Sequence, residues 1–412
     1  EQLCPAEVPE GASGPECFGG DLLMVSGASL RAAAVLLGAA SLVCAGENAA
    51  LKRDGAYWVE SRTGSFTPAP VLKVRMRGPV VIRGGATAAT YTLRTRVRAQ
   101  SEGEARRLLA QLQLRAVNGK SATALILDHP ERPLASAELE IRMPSTPSVY
   151  VDTFNGDVEV YDIKAGVEVS TGGGLIQMDR IGGDVEARTA GGEIHFGRIG
   201  GSVRCFSGGG KIQVLQTGGE SWFETAGGDV ELGEVSGAIH VSTMGGNIRI
   251  VKSGGAVMAR SAGGRIEVQE AGGAVIAGNS GGSIQVGPAK GVRLEATGGS
   301  IRLRGSSGAL RAVSDVGSIL AELIPGVRLQ DSALSTGAGD ITVFIPSNIS
   351  LTIKALNESS RTGRIVSEFP EILVRAGQRE NLTQAEGSLN GGGPVLQLTS
   401  TGGTIYLRRV RQ

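Results

Sequence analysis

Residues 191–228 read GGEIHFGRIGGSVRCFSGGGKIQVLQTGGESWFETAGG, and this stretch decides the fold. A glycine recurs at every ninth position from Gly183 to Gly291, and one residue is lost before the next repeat glycine, Gly299. Between these glycines apolar and polar residues alternate, which is the pattern of a half-buried β-strand. An internal period of this kind indicates short units that stack on one another as a solenoid.

The nine-residue units are of two kinds. After Gly192, Gly210 and Gly228 the chain continues EIHF, KIQV and DVEL, whereas after Gly183 and Gly201 it continues DVEA and SVRC. The repeat is therefore 18 residues, with one bulky and one slim strand per coil. We predict an all-β, single-stranded parallel β-solenoid in which like residues of successive coils form ladders. The glycine doublets are expected to make corners with positive φ.

The alternation also assigns side chains to the core or to the surface. Two columns of the bulky strands, which include Ile194 and Phe196, are expected to face two columns of the slim strands, which include Val185 and Ala187. Cys205 belongs to the last of these columns, where we expect a small buried hydrophobe rather than a reactive thiol.

The composition excludes several classes of protein. The chain has 412 residues with 64 glycines and 15 prolines but no Gly-X-Y period, which excludes collagen. Its 41 basic and 40 acidic residues leave a net charge of +1, so a dedicated nucleic-acid-binding protein is not expected. Asp does not recur behind the doublets as a calcium-binding β-roll requires, and the three histidines are scattered. We predict neither a metal nor a cofactor.

The first residues have the features of a processing signal. The apolar run 32–45 follows Arg31 and ends in small residues, as signal-peptidase sites do. We predict upstream read-through over 1–23, a signal peptide over 24–45, and a secreted, periplasmic or cell-surface mature chain without a transmembrane segment. Lipid anchoring at Cys44 and a buried core helix are the alternatives for this run.

The flanks are expected to close the solenoid. We predict a linker over 46–64 and a cap of strands and a helix over 65–148, in which Ser101 begins an amphipathic helix that plugs the first coil. The glycine-rich solenoid should then cover 149–335. Residues 336–412 should form the last coils and the C-terminal cap, because terminal repeats need an atypical sequence.

Several of these motifs resemble a known family. They are the strand–helix–strand entry, the Met143-Pro144 step into Val158-Glu159-Val160, the Gly-Asp-Val and Gly-Gly-x-Ile units, and Ile345-Pro346 followed by Gly402-Gly403-Thr404-Ile405. Over residues 65–410 the chain is similar to the bacterial putative-adhesin family of β-strand-repeat proteins. The resemblance implies a secreted or envelope-exposed right-handed β-helix, related to auto-transporter adhesin heads and without established catalytic residues.

One candidate surface is the outward column of the slim strands. This column loses charge toward its C-terminal end, where it contains Trp222, His240, Met258 and Ile276. An apolar outer face is either covered by a flanking segment or contacts a partner chain or a glycan.

A second candidate surface is basic. Three basic residues alternate on each of two strands that are expected to be neighbours: Lys73, Arg75, Arg77, Arg94, Arg96 and Arg98. Such a pair is either an edge protected from aggregation by its charge or an anion-binding patch for acidic glycans, phosphates or anionic membranes.

The predicted function is a non-enzymatic secreted or cell-envelope β-solenoid, an adhesin or structural scaffold that binds envelope polysaccharide or another protein chain. The alternative is a carbohydrate-active β-helix enzyme, a polysaccharide lyase or glycoside hydrolase. Asp229 and Glu231 would place carboxylates about 7 Å apart, as an inverting glycosidase does. Against this alternative, the pair is expected on a convex face, with Arg249 next to Glu231 to hold its carboxylate ionised.

Overall fold

The computed structural model describes residues 41–42, 47–48, 51–128, 135–358, 364–376 and 382–410. They belong to one compact unit. Apart from Ser41–Leu42, which forms a short strand, the predicted read-through, signal peptide and Cys44 anchor lie outside the described residues and stay predictions. In the part of the chain that the structure describes, no helix has the length and apolarity needed to cross a membrane.

Short β-strands and one helix precede the regular coils. They are β1 (Ser41–Leu42), β2 (Glu47–Asn48), β3 (Lys52–Asp54), β4 (Tyr57–Phe66), β5 (Val71–Met76), β6 (Val80–Arg83), β7 (Ala89–Arg98), α1 (Glu102–Leu109), β8 (Gln113–Asn118), β9 (Ala122–Asp128) and β10 (Ala135–Arg142).

The regular coils follow, with two strands per coil. Their strands are β11 (Ser148–Thr153), β12 (Val158–Tyr161), β13 (Val167–Thr171), β14 (Ile176–Asp179), β15 (Val185–Thr189), β16 (Ile194–Ile199), β17 (Val203–Ser207), β18 (Ile212–Thr217), β19 (Ser221–Thr225), β20 (Val230–Val235), β21 (Ile239–Thr243), β22 (Ile248–Ser253), β23 (Val257–Ser261), β24 (Ile266–Ala271), β25 (Val275–Asn279) and β26 (Ile284–Val286).

The remaining strands form less regular coils and the C-terminal end. They are β27 (Lys290–Ala296), β28 (Ile301–Arg304), β29 (Ser307–Val316), β30 (Ile319–Glu322), β31 (Ser332–Ala338), β32 (Ile341–Ile345), β33 (Leu351–Asn357), β34 (Ile365–Ser367), β35 (Leu373–Ala376), β36 (Thr383–Leu389), β37 (Val395–Ser400) and β38 (Ile405–Arg409).

The strands stack into a parallel solenoid with two sheets and about 11 turns. From β11 to β32 the odd-numbered strands form one sheet, which we call sheet A, and the even-numbered strands form the other, sheet B. Each regular strand pairs with the strand 18 residues later, as Ile194 does with Ile212 and Val203 with Ser221. The predicted all-β parallel solenoid with an 18-residue coil is confirmed.

The predicted inward columns form the core. Ile194, Ile212 and Ile248 of sheet B are almost fully buried, as are Val203 and Val257 of sheet A. Cys205 is also buried, and its burial raises the pKa of the thiol far above its ordinary value. The assignment of alternate residues to core and surface is confirmed, and the thiol is a packing group.

The doublet glycines act through close approach between coils, and the prediction of positive-φ corners is wrong for the regular coils. Among the described residues, no glycine between Gly85 and Gly291 has a positive φ. A Cβ on Gly210 or Gly228 would instead lie 2.0 or 2.1 Å from the carbonyl oxygen of the equivalent glycine one coil earlier. Because neighbouring strands are about 4.8 Å apart, this position accepts only a hydrogen atom.

A column of buried polar side chains joins the coils, and the sequence reasoning missed it. The hydroxyl of Thr225 donates to the Gly210 carbonyl at 3.0 Å and accepts from the Gly228 N–H at 3.2 Å. Equivalent residues close the other strands of sheet A: Thr171, Thr189, Ser207, Thr243, Ser261, Asn279 and Ser314. Ala296 interrupts this column, which we call the hydroxyl column.

Strands that return along the chain close both ends of the solenoid. Near the start, β10 lies between β6 and β7, and β9 pairs with β5. At the far end, β37 lies between β31 and β33, and β38 lies between β32 and β34. Because β5 and β6 pair in parallel with β11 and β12, the solenoid register begins at Val71, well before the expected boundary at residue 149.

The N-terminal region agrees with the prediction at the helix and differs from it over residues 46–64. The predicted helix is present: Ser101 caps α1 by accepting from the Glu104 N–H at 3.2 Å, and Ala105 is buried. The segment 46–64, expected to be a linker, contains β3 and most of β4, which pairs with β7 along its whole length. The Trp58 indole N–H also donates to the Ala99 carbonyl, which ties this segment to the sheet.

Candidate binding surfaces

The first candidate surface is a column of side chains on the outside of sheet A, which we call the aromatic face. It consists of register partners in successive strands: Arg204, Trp222, His240, Met258 and Ile276. The rings of Trp222 and His240 are stacked, with centroids 5.2 Å apart and planes 7° apart. The Arg204 guanidinium lies 4.7 Å from the centre of the Trp222 ring.

This stack leaves the indole standing on its edge. Arg204 and His240 lie in the strands on either side of Trp222, so both faces of the Trp222 ring are occupied. The Glu220 carboxylate, 3.1 Å from His240 Nε2, holds the imidazole in place. The face therefore offers an incoming molecule a rigid aromatic edge rather than a flat ring.

The aromatic face is open among the described residues. Ile276 is 43 % exposed, and Trp222, His240 and Met258 are half-buried, so the described residues do not supply the flanking cover that was one of the two alternatives. The part of the column without acidic or basic chains other than His240 runs from Trp222 to Ile276 and ends there, because Ile276 pairs in register with Arg293 one coil later. Phe206, in the neighbouring column, is 42 % exposed and enlarges the apolar area.

The second candidate surface is a groove on the outside of sheet B, and sequence reasoning missed it. It encloses about 800 Å³ over β12 to β22, and one wall is the predicted outward column with His195, Gln213 and Glu231. Gly233 carries no side chain between Leu215 and Val251, whereas the Asp179 carboxylate fills the space beside Gly197. Glu231 lines this groove, so the expectation of a convex face is wrong.

A second groove continues on the same face. It encloses about 750 Å³ over β24 to β32. The first groove ends at Arg249 and the second begins at Glu267, and these two residues are register partners in β22 and β24. We refer to the two grooves together as the sheet B groove.

A signal for this groove exists in the sequence. In each bulky unit, the residue after the four-letter pattern such as EIHF is either glycine or a larger residue. These residues are Gly197, Leu215, Gly233, Val251, Gln269 and Gly287. The larger members project outward, and Leu215 is 63 % exposed. Only the stacking of coils shows which of these positions border the groove.

The carboxylates considered for an enzyme have structural partners. Arg249 is the register partner of Glu231 one coil later, as predicted, but the ion pair of Glu231 is with Lys211, whose Nζ lies 2.8 Å from Glu231 Oε2. Asp229 accepts from the Asn247 N–H at 2.6 Å and does not line the groove. Both carboxylates thus bind groups of a neighbouring coil, Glu231 to Lys211 and Asp229 to Asn247.

One carboxyl group on sheet A, that of Glu168, has a raised pKa. Burial and then the charge of Glu186 raise the pKa of Glu168 above its ordinary value. Glu168 lies between Tyr150 and Glu186 in the outward column, and the residue is outside the sheet B groove. A raised carboxyl pKa without a surrounding cleft does not make an active site.

The six basic residues do not form the single patch that was predicted. Lys73 and Arg75 lie on β5 in sheet A, whereas Arg94, Arg96 and Arg98 lie on β7 in sheet B. The reason is that the chain changes sheets between β5 and β6, so the two basic strands are not neighbours.

Aromatic rings and carboxylates accompany both groups of basic residues. In the sheet A group, Arg75 lies 3.6 Å from the Asp152 carboxylate, and Arg77 lies 5.0 Å from the Phe154 ring. In the sheet B group, the Arg96 guanidinium lies 3.8 Å from the centre of the Tyr57 ring. Among the described residues, Arg94 is the one member of the sheet B group within 4.0 Å of a carboxylate.

The chain is similar to two solved structures with adhesin descriptions. A putative cell adhesion protein from Clostridium sporogenes ATCC 15579 has 9 % identity and a TM-score of 0.17, with 85 % of this chain and 100 % of that chain covered. A putative adhesin from Bacteroides fragilis NCTC 9343 has 11 % identity and a TM-score of 0.22, with 85 % and 97 % covered. The sequence matches no family model and no curated protein. Because these identities and TM-scores are low, the two structures carry no argument about what this chain binds. Its binding partner is inferred from the surfaces of the chain itself.

Proposed function

We propose that this chain is a non-enzymatic adhesive scaffold, secreted or exposed on the cell envelope, which binds other molecules through the outer faces of its solenoid. The observation that supports this proposal most strongly is the open, rigid stack of Arg204, Trp222 and His240 on sheet A. Trp and Arg are the residues that contribute most to protein interfaces, particularly when they are held in place before binding.

The geometry of the aromatic face favours a protein partner over a glycan. A sugar ring binds best to the flat face of an aromatic ring, and both faces of Trp222 are occupied. A protein partner can instead use the indole edge together with the exposed Phe206 and Ile276 side chains, which lie on β17 and β25, about 19 Å apart along the axis.

An adhesion assay tests this proposal. Wild type, Trp222→Ala and Tyr406→Ala are applied to immobilised envelope material that is untreated, digested with protease, or oxidised with periodate to destroy glycans. Tyr406 is the matched control because it lies on sheet B with the Arg408 guanidinium 5.1 Å from its ring. We expect Trp222→Ala to lose the protease-sensitive part of adhesion and Tyr406→Ala to keep it. Equal adhesion of the two variants would contradict this role of the aromatic face.

A second proposal concerns the basic strand β7. Arg94, Arg96 and Arg98 all point outward and alternate with buried residues, so they can bind an anionic polymer without disturbing the core. Replacing all three by Gln should preserve folding and lower the salt concentration at which the protein elutes from heparin. The matched control replaces Lys73, Arg75 and Arg77, on the other sheet, by Gln. Elution of the β7 variant at the wild-type salt concentration would refute this proposal.

A further inference from the structure

We propose that the sheet B groove is a binding site for a linear, uncharged polysaccharide that lies along the axis of the solenoid. This inference rests on the proposed scaffold function, but it uses a different face from the aromatic one. The two sites can therefore be tested separately.

The groove has the dimensions of a site for a long ligand. Its lining residues come from successive even-numbered strands from β12 to β32, and its two parts meet at the register partners Arg249 and Glu267. At about 4.8 Å per coil, this series of strands extends over about 50 Å. A ligand that fills the groove must be extended and must run across the strands.

The charges along the groove are balanced. Four acidic residues line it, Asp179, Glu231, Glu267 and Glu322, as do four arginines, Arg198, Arg249, Arg302 and Arg304. Four amides accompany them: Gln177, Gln213, Gln269 and Gln285. Balanced charge gives no field that attracts a polyanion. Sugar hydroxyls both donate and accept, so they can pair with carboxylates, guanidinium groups and amides alike.

Apolar contacts recur along the same groove. Leu215 and Val251 are exposed, and they lie on β18 and β22, with Gly233 of β20 between them. Two coils separate the two side chains, a distance of about 10 Å along the axis. A polymer with a regular repeat can place the C–H surface of a sugar ring against each of them, which removes their apolar area from water.

The backbone of sheet B favours a sugar over an extended peptide. Peptides usually bind to sheets by adding a strand to an edge, which needs unpaired N–H and C=O groups. The strands that line the groove pair with the coils on both sides, as β18 does with β16 and β20, so the groove contains no edge. A ligand in the groove must therefore bind through side chains.

Binding measurements on the full chain test this proposal. The probes are soluble neutral linear glucans, mannans and galactans, each as polymer, disaccharide and hexasaccharide, with heparin and an uncharged Gly-Ser-Gln peptide for comparison. Leu215→Asp and Gln213→Ala alter the groove at exposed positions. Val313→Asp is the matched control because it makes the same kind of change at an exposed apolar position of β29 that belongs to neither the aromatic face nor the sheet B groove.

We expect at least one neutral glycan to bind, with an affinity that rises from disaccharide to hexasaccharide. Leu215→Asp should weaken binding about tenfold or more, equivalent to about 1.4 kcal/mol, and Gln213→Ala should also weaken it. Val313→Asp should bind as wild type does. The proposal is overturned if no neutral glycan binds, if both groove variants bind like wild type, or if heparin or the peptide is the ligand that Leu215→Asp loses. Loss of adhesion in Trp222→Ala reports on the aromatic face alone, so failure of one site does not imply failure of the other.

Discussion

The regular coils β14 to β26 and the irregular step over residues 288–308 use glycine in different ways. In the regular coils, glycines such as Gly228 have no positive φ and are required because the preceding coil leaves no room for a Cβ. The irregular step adds glycines in the left-handed region, among them Gly291 with φ of 96°. There the requirement is conformational, because an L-residue is strained at such a φ.

The polar side chains that join successive coils also change at the irregular step. In the regular coils a buried hydroxyl or amide at the end of each sheet A strand bonds to the glycine backbone of two coils. At the irregular step Ala296 occupies this position, and Ser306 and Ser307 donate instead to the carbonyls of Gly287 and Ala289. In the regular coils, the corner after each sheet A strand combines a glycine that has no room for a Cβ with a buried hydroxyl or amide.

The largest effect is expected in the core of the regular coils. Ile248→Asp places a charge without a partner between Val230 and Ile266, and we expect it to cost more than about 4 kcal/mol or to prevent folding. Its neighbour Arg249 is exposed, so Arg249→Ala should stay within about 0.5 kcal/mol. Urea unfolding checks both variants. Equal unfolding midpoints would refute the assignment of alternate residues to core and surface.

The next effect separates the two uses of glycine. Gly228→Ala should cost about 3 kcal/mol because its Cβ would overlap the Gly210 carbonyl oxygen. Gly227→Ala, in the same doublet, has no atom within 4 Å of the new Cβ and should cost less than about 1 kcal/mol. Gly291→Ala should fall between them at about 1 to 2 kcal/mol, since its positive φ is strained but space is available. Thermal unfolding of the three variants ranks them, and a different order would contradict the comparison.

A smaller effect is expected from the hydroxyl column. Thr225→Val keeps the shape of the side chain but leaves the Gly210 carbonyl and the Gly228 N–H without their hydroxyl partner, at a cost of about 1 to 3 kcal/mol. Thr225→Ser retains the hydroxyl and should cost less than half as much. The free energy of unfolding in urea measures both. If valine and serine are equivalent, the column contributes packing alone.

The smallest effect depends on pH. Hydrogen bonds from the Ser202 backbone and hydroxyl lower the pKa of Asp184 below its ordinary value. A lowered pKa in the folded state means that ionised Asp184 stabilises the fold above the pKa of the unfolded chain, about 3.9, and that this stabilisation is lost as the pH falls below it. The stability advantage of wild type over Asp184→Asn should therefore be present at pH 7 and shrink toward pH 2. Thermal unfolding midpoints across this range that keep a constant difference would contradict the assignment.

The periodic features of the fold follow from the sequence, because the same residue types recur at the same places. The 18-residue coil, the buried Ile194 and Cys205, and the capped helix at Ser101 are of this kind. The role of Gly228 does not follow, because close approach depends on the distance between coils rather than on the residue itself. A glycine doublet leads to a prediction of positive φ because glycine adopts positive φ more easily than any other residue.

The candidate surfaces were harder to predict, because they depend on neighbours that are distant in sequence. The pattern identifies Trp222 as outward, but its rigidity comes from Arg204 and His240, each 18 residues away. The first part of the groove includes the place where Gly233 lies between the larger Leu215 and Val251 side chains of adjacent coils. The separation of the two basic strands follows from the point at which the chain changes sheets.

We propose that the coils are a scaffold that binds a polymer without cleaving it. The most direct test incubates the full chain with a neutral polysaccharide that it retains, and then measures the length and the ends of the recovered polymer by size-exclusion light scattering and by assays for reducing and unsaturated ends. We predict that the polymer is bound and recovered at its original length, with no new ends. Shortened chains, or new reducing or unsaturated ends that appear in proportion to the protein added, would contradict it and would favour the carbohydrate-active enzyme.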